Sequence, residues 1–323
     1  MPLLFLNEIS CGTTCDHARA ERAMTELADA VLAVLRADRP GTVLVSKEPI
    51  TGLQIADGHP IGKWHGNPRN RDAWRRLLQM QSKWPHRTSY PEGEGFYDVE
   101  YRHQGRLAEG LGAAHLMDGL GLSLAVDTCW GDARVTLERE QLVDDADATD
   151  TTVGGATAGS HIGEVEIRHA SSGTHIDGHL RWIADRVELA RRGGIDSVAH
   201  GAELWERRAA LFPRLEFLPR VESQLRNLTP GWVRPAGRRL AELDLAVTSW
   251  DPDTDPEGPQ WHSHVTGEGE TRSREFCVFT DLDGRQRTFG KHGRFTPGHG
   301  RVHFRLVPES RTLRVAHVGL KLL

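Results

Sequence analysis

The 323 residues carry 38% hydrophobic and 26% charged side chains with a net charge of −5, which suits a soluble chain of two or three domains. No run reaches the ~18 uninterrupted apolar residues of a membrane span, and the N-terminus meets Glu8 too soon for a signal peptide. Cys11, Cys15, Cys129 and Cys277 are too few and too scattered for a disulfide framework, so a cytoplasmic, reducing compartment is expected.

The chain opens with a strand pattern at residues 3–9, then a helix at 18–36 whose Met24, Leu27, Val31 and Leu35 recur at helical spacing. Pro40-Gly41 ends that helix, and residues 42–46 read as a buried strand. This β-α-β opening places the chain in the α/β class, α+β when taken as a whole. Residues 47–70 are rich in Gly and Pro and read as loop, after which Asn70 caps a helix from Arg71 to about Trp84. A helix at 107–117 and strands at 120–126 and 134–137 complete an α/β N-terminal domain over 1–142. The acidic, Gly-rich stretch 143–160 reads as a flexible linker.

Next come a strand at 163–169, a helix at 174–192 opened by a Thr174–Asp177 capping pair, and helices at 201–211, 218–228 and 235–250. Residues 161–250 therefore read as mainly helical. A Pro- and Asp-rich run begins a second linker, 251–271. Residues 272–323 read as a small antiparallel β module with strands at 274–280, 285–289, 300–306 and 312–318, and Asp283-Gly284 turns the first pair. This module holds eleven Lys and Arg against four acids, so it carries +7 and the rest of the chain −12. An anionic partner for the module, or an acidic surface that it docks against, is expected.

In Arg301-Val302-His303-Phe304-Arg305-Leu306 the side chains alternate. On a strand Arg301, His303 and Arg305 share one face and the apolar three the other. With Lys291, His292 and Arg294 upstream, the basic row reads as a solvated phosphate-binding face. Guanidiniums match phosphate oxygens bidentately, and imidazoles move protons near neutral pH. Metal-free RNA cleavage needs a base for the 2′-hydroxyl, an acid for the leaving oxygen and cations for the charge that develops between them. On this reading His292, His303, Arg301 and Lys291 are the catalytic candidates. Arg285, Arg287, Arg294, Arg305 and Arg314 grip nucleic acid, RNA rather than DNA, and no cofactor is required.

Three alternatives stay open. His169, His175 and His179 offer three imidazoles for zinc with an open position, the last two at i and i+4. Glu109, Asp118 or Asp127, and Glu138 with Glu140 offer carboxylates for Mg²⁺ in a metal-dependent nuclease. A non-enzymatic adaptor would use the basic tail to dock an acidic partner in a multi-protein complex.

The run from Gly300 to Leu306, the turn Pro308-Glu309-Ser310 and the run from Leu313 to Lys321 resemble the terminal hairpin of RelE/ParE-type toxins. The resemblance is confined to residues 272–323, where no Tyr occurs, and the two-helix hairpin of those toxins is not evident directly upstream. It implies a sheet whose basic and His side chains cut mRNA on the ribosome. The whole chain also resembles an uncharacterised family of bacterial proteins that open on a Leu-Asn-Glu-Ile-Ser strand, which implies a place in antiphage defence.

Overall fold

Asp16 accepts a hydrogen bond from the Arg19 N–H at 2.8 Å and so starts the first long helix of the chain. The structure, a computed structural model, describes residues 2–38, 42–82, 99–141, 161–192, 194–296 and 300–322. The expected linker 143–160 lies outside them. The described residues belong to two compact units.

The first unit gathers Met1–Gly93, Val99–Gln141 and Ile162–Glu188. Strand β1 (Leu3–Leu6) leads to α1 (His17–Ala37) and back to β2 (Val43–Val45), which lies parallel to β1. There follow β3 (Gln54–Ala56), β4 (His59–Pro60), α2 (Ile61–Gly66), α3 (Arg71–Gln81), β5 (Val99–His103) and β6 (Arg106–Leu107). Then come α4 (Glu109–Leu116), β7 (Leu120–Leu122), β8 (Arg134–Gln141), β9 (His161–Ala170) and α5 (Leu180–Arg192). Among the described residues β3 and β4 pair with each other, and the other seven strands build a sheet in the order β2-β1-β7-β9-β8-β5-β6. β1, β2, β7 and β9 run parallel, and β5 is antiparallel to β8 and β6, so the sheet is mixed and the α/β expectation holds. Met24, Leu27 and Val31 of α1 pack with Leu4, Leu44 and Leu122, the apolar stripe that the helical spacing marks. The expected capping pair does not form: residues Gly173–His179 make a 3₁₀ stretch, and Thr174 Oγ1 lies 2.8 Å from Ser172 Oγ instead.

The second unit is dominated by Leu189–Leu323. It holds α6 (Gly201–Glu206), α7 (Arg208–Leu211), β10 (Leu215–Phe217), α8 (Arg220–Arg226), α9 (Pro230–Thr248) and β11 (Val265–Gly267). Next are α10 (Glu270–Phe276), β12 (Val278–Thr280), β13 (Gln286–Thr288), β14 (Lys291–Arg294), β15 (Gly300–Val307) and β16 (Thr312–Leu320). Its five-stranded sheet has the order β10-β16-β15-β14-β11, antiparallel except that β10 runs parallel to β16. Val302, Phe304, Leu313 and Val315 fill one face against Leu225 of α8 and Leu240 of α9. Burying each such large side chain stabilises the unit by about 1.5–3 kcal/mol.

The division differs from the expected domains. β9 pairs with β7, and Ile176, Ile183 and Val187 complete the first core, so residues 162–188 belong with the N-terminal unit rather than with the helices that follow. The expected module 272–323 is not separate either, because β10 and β11, from outside it, supply both edges of its sheet. The strand expected at 274–280 is instead α10 followed by the short β12. Among the described residues no helix is long and apolar enough to cross a membrane.

Candidate functional site

β14 and β15 are locked in a register that pairs His292 with His303 and Arg294 with Arg301. Because side chains alternate along a strand, these four share one face, opposite the packed core. The ring centroids of His292 and His303 lie 5.3 Å apart at 34°. His317 of β16 continues the row, its ring 5.7 Å from that of His303. Gly319 stands opposite Arg301 in the register, and a Cβ there would come within 3.2 Å of the His317 ring.

The edge strand β11 and the segment after it close the site. Thr266, opposite His292, places Oγ1 2.9 Å from His292 Nε2. Glu268 Oε1 lies 3.1 Å from His292 Nδ1. Cys277 Sγ lies 3.6 Å from His303 Nδ1. Two imidazoles and a carboxylate thus present ligand atoms within 4.8 Å of one another, the set of three His, Cys, Asp or Glu ligands found to converge among the described residues.

The row expected to face solvent is interior: Arg301 is 0% and His303 1% exposed, and His292 and Arg294 are buried as well. Residues 268–290, which run from β11 to β14, touch the histidine end of this face through Glu268 and Cys277, and Asp281 meets Arg305 and Arg314 beyond it. Phe289 joins the core, and Phe279 packs edge-on against it at 5.8 Å. Burial, followed by the charges of His303 and Arg301, holds His292 well below the ordinary imidazole range.

Arginines expected to clamp nucleic acid hold this segment instead. The Asp281 carboxylate, fully buried, accepts from Arg305 Nε at 2.9 Å and Arg314 Nη1 at 3.0 Å. Arg287 Nε lies 3.1 Å from it. Arg314 also donates to Glu216 at 2.5 Å, and Arg287 to Asp283 at 2.6 Å. Burial pushes the Asp281 carboxyl up, but the Leu282 N–H and the Arg305 and Arg314 guanidiniums outweigh it and leave the group below its usual range. Arg285 is exposed near the hairpin turn. Lys291 alternates with His292 and pairs in register with the core residue Phe304, so it does not join the site.

The expected zinc histidines do not converge. His169 Nδ1 donates to the Asp132 carbonyl at 2.6 Å, and its Nε2 accepts from Ser123 Oγ at 2.7 Å. His179 Nε2 donates to the carbonyls of Ala133 and His169, both at 3.0 Å, and His175 Nδ1 accepts from the Ser171 N–H at 3.2 Å. Both nitrogens of His169 are thus committed, and the three rings act as braces between β9 and its surroundings. Three of the carboxylates proposed for Mg²⁺ have partners of their own. Glu109 pairs with Lys47 at 2.5 Å, Asp118 with Arg168 at 2.6 Å and with Arg186, and Asp127 accepts from the N–H of Cys129 at 3.4 Å.

The chain matches no known family, no curated protein and no solved structure.

Sequence reasoning identified His292, His303, Arg294 and Arg301 but missed Thr266, Glu268, Cys277 and His317. Glu268 falls in what reads as a linker, and no spacing ties it to His303. The cross-strand register alone brings them together. His317 carried a weak signal within the alternating final strand, but the register shift opposite His303 and Phe304 disrupts the period there.

Proposed function

We propose that the chain is a cytoplasmic, nucleic-acid-directed effector that cleaves phosphodiesters, single-stranded RNA in preference to DNA, at the polar face of β14 and β15. One observation carries this reading: two imidazoles and two guanidiniums occupy successive cross-strand pairs on one face. Guanidiniums so placed neutralise charge that builds on a phosphorane, and one well-aimed donor is worth roughly 10²–10³ in rate. Neighbouring imidazoles accept a proton or a metal ion, either of which activates an attacking oxygen. The resemblance to RelE/ParE-type toxins supports RNA as the substrate. A place in a toxin or antiphage-defence system rests on the resemblances alone. Residues 268–290 touch the histidine end of the face, so the reading requires that they lift when substrate binds.

The test is a cleavage assay on labelled single-stranded RNA, duplex DNA and translating ribosomes, with and without EDTA. RNA is expected to be cut, and His303→Gln to lower the rate at least about 100-fold while the protein stays folded. Equal cleavage by the variant, or intact RNA under every condition, would sink the reading.

The burial of Arg301 and His303 favours one rival, a non-enzymatic adaptor. Contacts to several phosphates give a log–log salt slope of roughly −0.7 per phosphate for single strands. An adaptor shows no such slope with RNA and binds an acidic protein instead.

A further inference from the structure

We infer that Glu268, His292 and His303 bind a divalent transition-metal ion, zinc by the chemistry of the donors. Their ligand atoms already lie within 4.8 Å of one another, and His292 Nδ1 and Glu268 Oε1 are 3.1 Å apart. Zinc bonds of about 2.0–2.2 Å to nitrogen and oxygen set tetrahedral ligands roughly 3.4 Å apart, so side-chain rotations suffice to close the site. The two histidines stand directly opposite each other on hydrogen-bonded strands, which holds their Cβ positions.

The far side of each ring strengthens the assignment. A metal-bound imidazole characteristically sets its other nitrogen on a protein partner, which orients the ring. His292 Nε2 meets Thr266 Oγ1 at 2.9 Å, leaving Nδ1 toward Glu268. His303 Nδ1 meets Cys277 Sγ at 3.6 Å, a contact that orients its ring. Two imidazoles and one carboxylate suit zinc and leave one coordination position open. Magnesium prefers a shell of oxygens.

Charge then names the fourth ligand. Arg294 and Arg301 sit one cross-strand pair away on the same face, so a dication beside them is favoured when an anion shares the site. A phosphate oxygen or hydroxide at the open position meets both demands. The phosphate half of this inference rests on the function proposed above; the metal half does not.

The test uses the full chain and needs no substrate. Metal content is measured after purification. The apo protein is then titrated with Co²⁺, whose visible ligand-field absorption reports tetrahedral nitrogen and oxygen coordination, and with Zn²⁺ against a chelating indicator, each with and without inorganic phosphate. About one ion per chain is expected, bound more tightly with phosphate. Glu268→Gln, nearly isosteric, and His303→Gln should each weaken Zn²⁺ at least about 100-fold, and Thr266→Val about 10-fold through the ring orientation of His292. Circular dichroism of each variant separates ligand loss from unfolding, and His175→Gln serves as the control that binds as wild type does. Wild-type protein that takes up neither ion, or equal affinity in Glu268→Gln and His303→Gln, overturns the assignment. Metal bound without any RNA cleavage would sink the proposed function and leave this inference standing. RNA cleavage in EDTA by wild-type protein that takes up neither ion would do the reverse.

Discussion

Gly293 stands between His292 and Arg294 but faces the other side of β14, where Arg239 of α9 lies. A Cβ built there would come within 2.4 Å of Arg239 Nε and 2.9 Å of its Cζ. Arg239 has little room to retreat: it is 4% exposed, donates to the His264 carbonyl and pairs with Glu242 at 3.1 Å. Gly293→Ala should therefore cost about 1–3 kcal/mol, seen as a lower denaturant midpoint with an unchanged slope. A wild-type midpoint would mean that α9 yields and that the support beneath the histidines is loose. At this scale the sequence was half legible. The alternation from Arg301 to Leu306 gave the strand and its apolar side, since period-two patterning is local. It could not tell that Arg301 is buried, because burial is decided by residues distant in sequence, and a basic row reads alike under water or under a cover.

The excursion from Glu268 to Gly290 is the element that decides access. Its hairpin turn was readable from Asp283-Gly284, but α10 was not, since Phe276, Cys277, Val278 and Phe279 favour strand and Gly269 alone marks the helix start. Asp281 anchors the excursion through Arg305 and Arg314, both only 18% exposed at the side chain. Asp281→Asn would leave those guanidiniums facing a neutral amide. Breaking a buried ion pair from one side costs about 3–5 kcal/mol. Part of that loss should appear locally, as faster amide hydrogen exchange across residues 278–290 than in the β15–β16 hairpin. Uniform exchange rates in the variant would show that the cover is held elsewhere.

For the whole molecule, the β-α-β opening made the α/β class legible, whereas the division into units depended on pairings that no local pattern encodes. Acid sensitivity also belongs here. Burial pushes His169 down from 6.5 to about 4, and burial with the charges of Arg139 and Arg168 does the same to His115. The unfolded chain therefore binds more protons than the folded one between those values. The stability these histidines supply is complete above pH 6.5 and is lost as pH falls toward 4. For His169 this loss is on the order of 3 kcal/mol. Urea unfolding from pH 7 to 4 should show it, and His169→Gln should flatten the curve. A slope unchanged in that variant would place the acid response in other groups.

The parallel pairing of β10 with β16 also bears on synthesis. Glu216 and Arg314, joined across it, are 98 residues apart. A nascent chain emerging from the ribosome at roughly 5–20 residues per second carries an unpartnered β10 for several seconds before β16 arrives. Val302, Phe304 and the two imidazoles, made shortly before β16, have no complete sheet to occupy until it arrives. The polar face of β14 and β15 is thus assembled only after translation has passed β16.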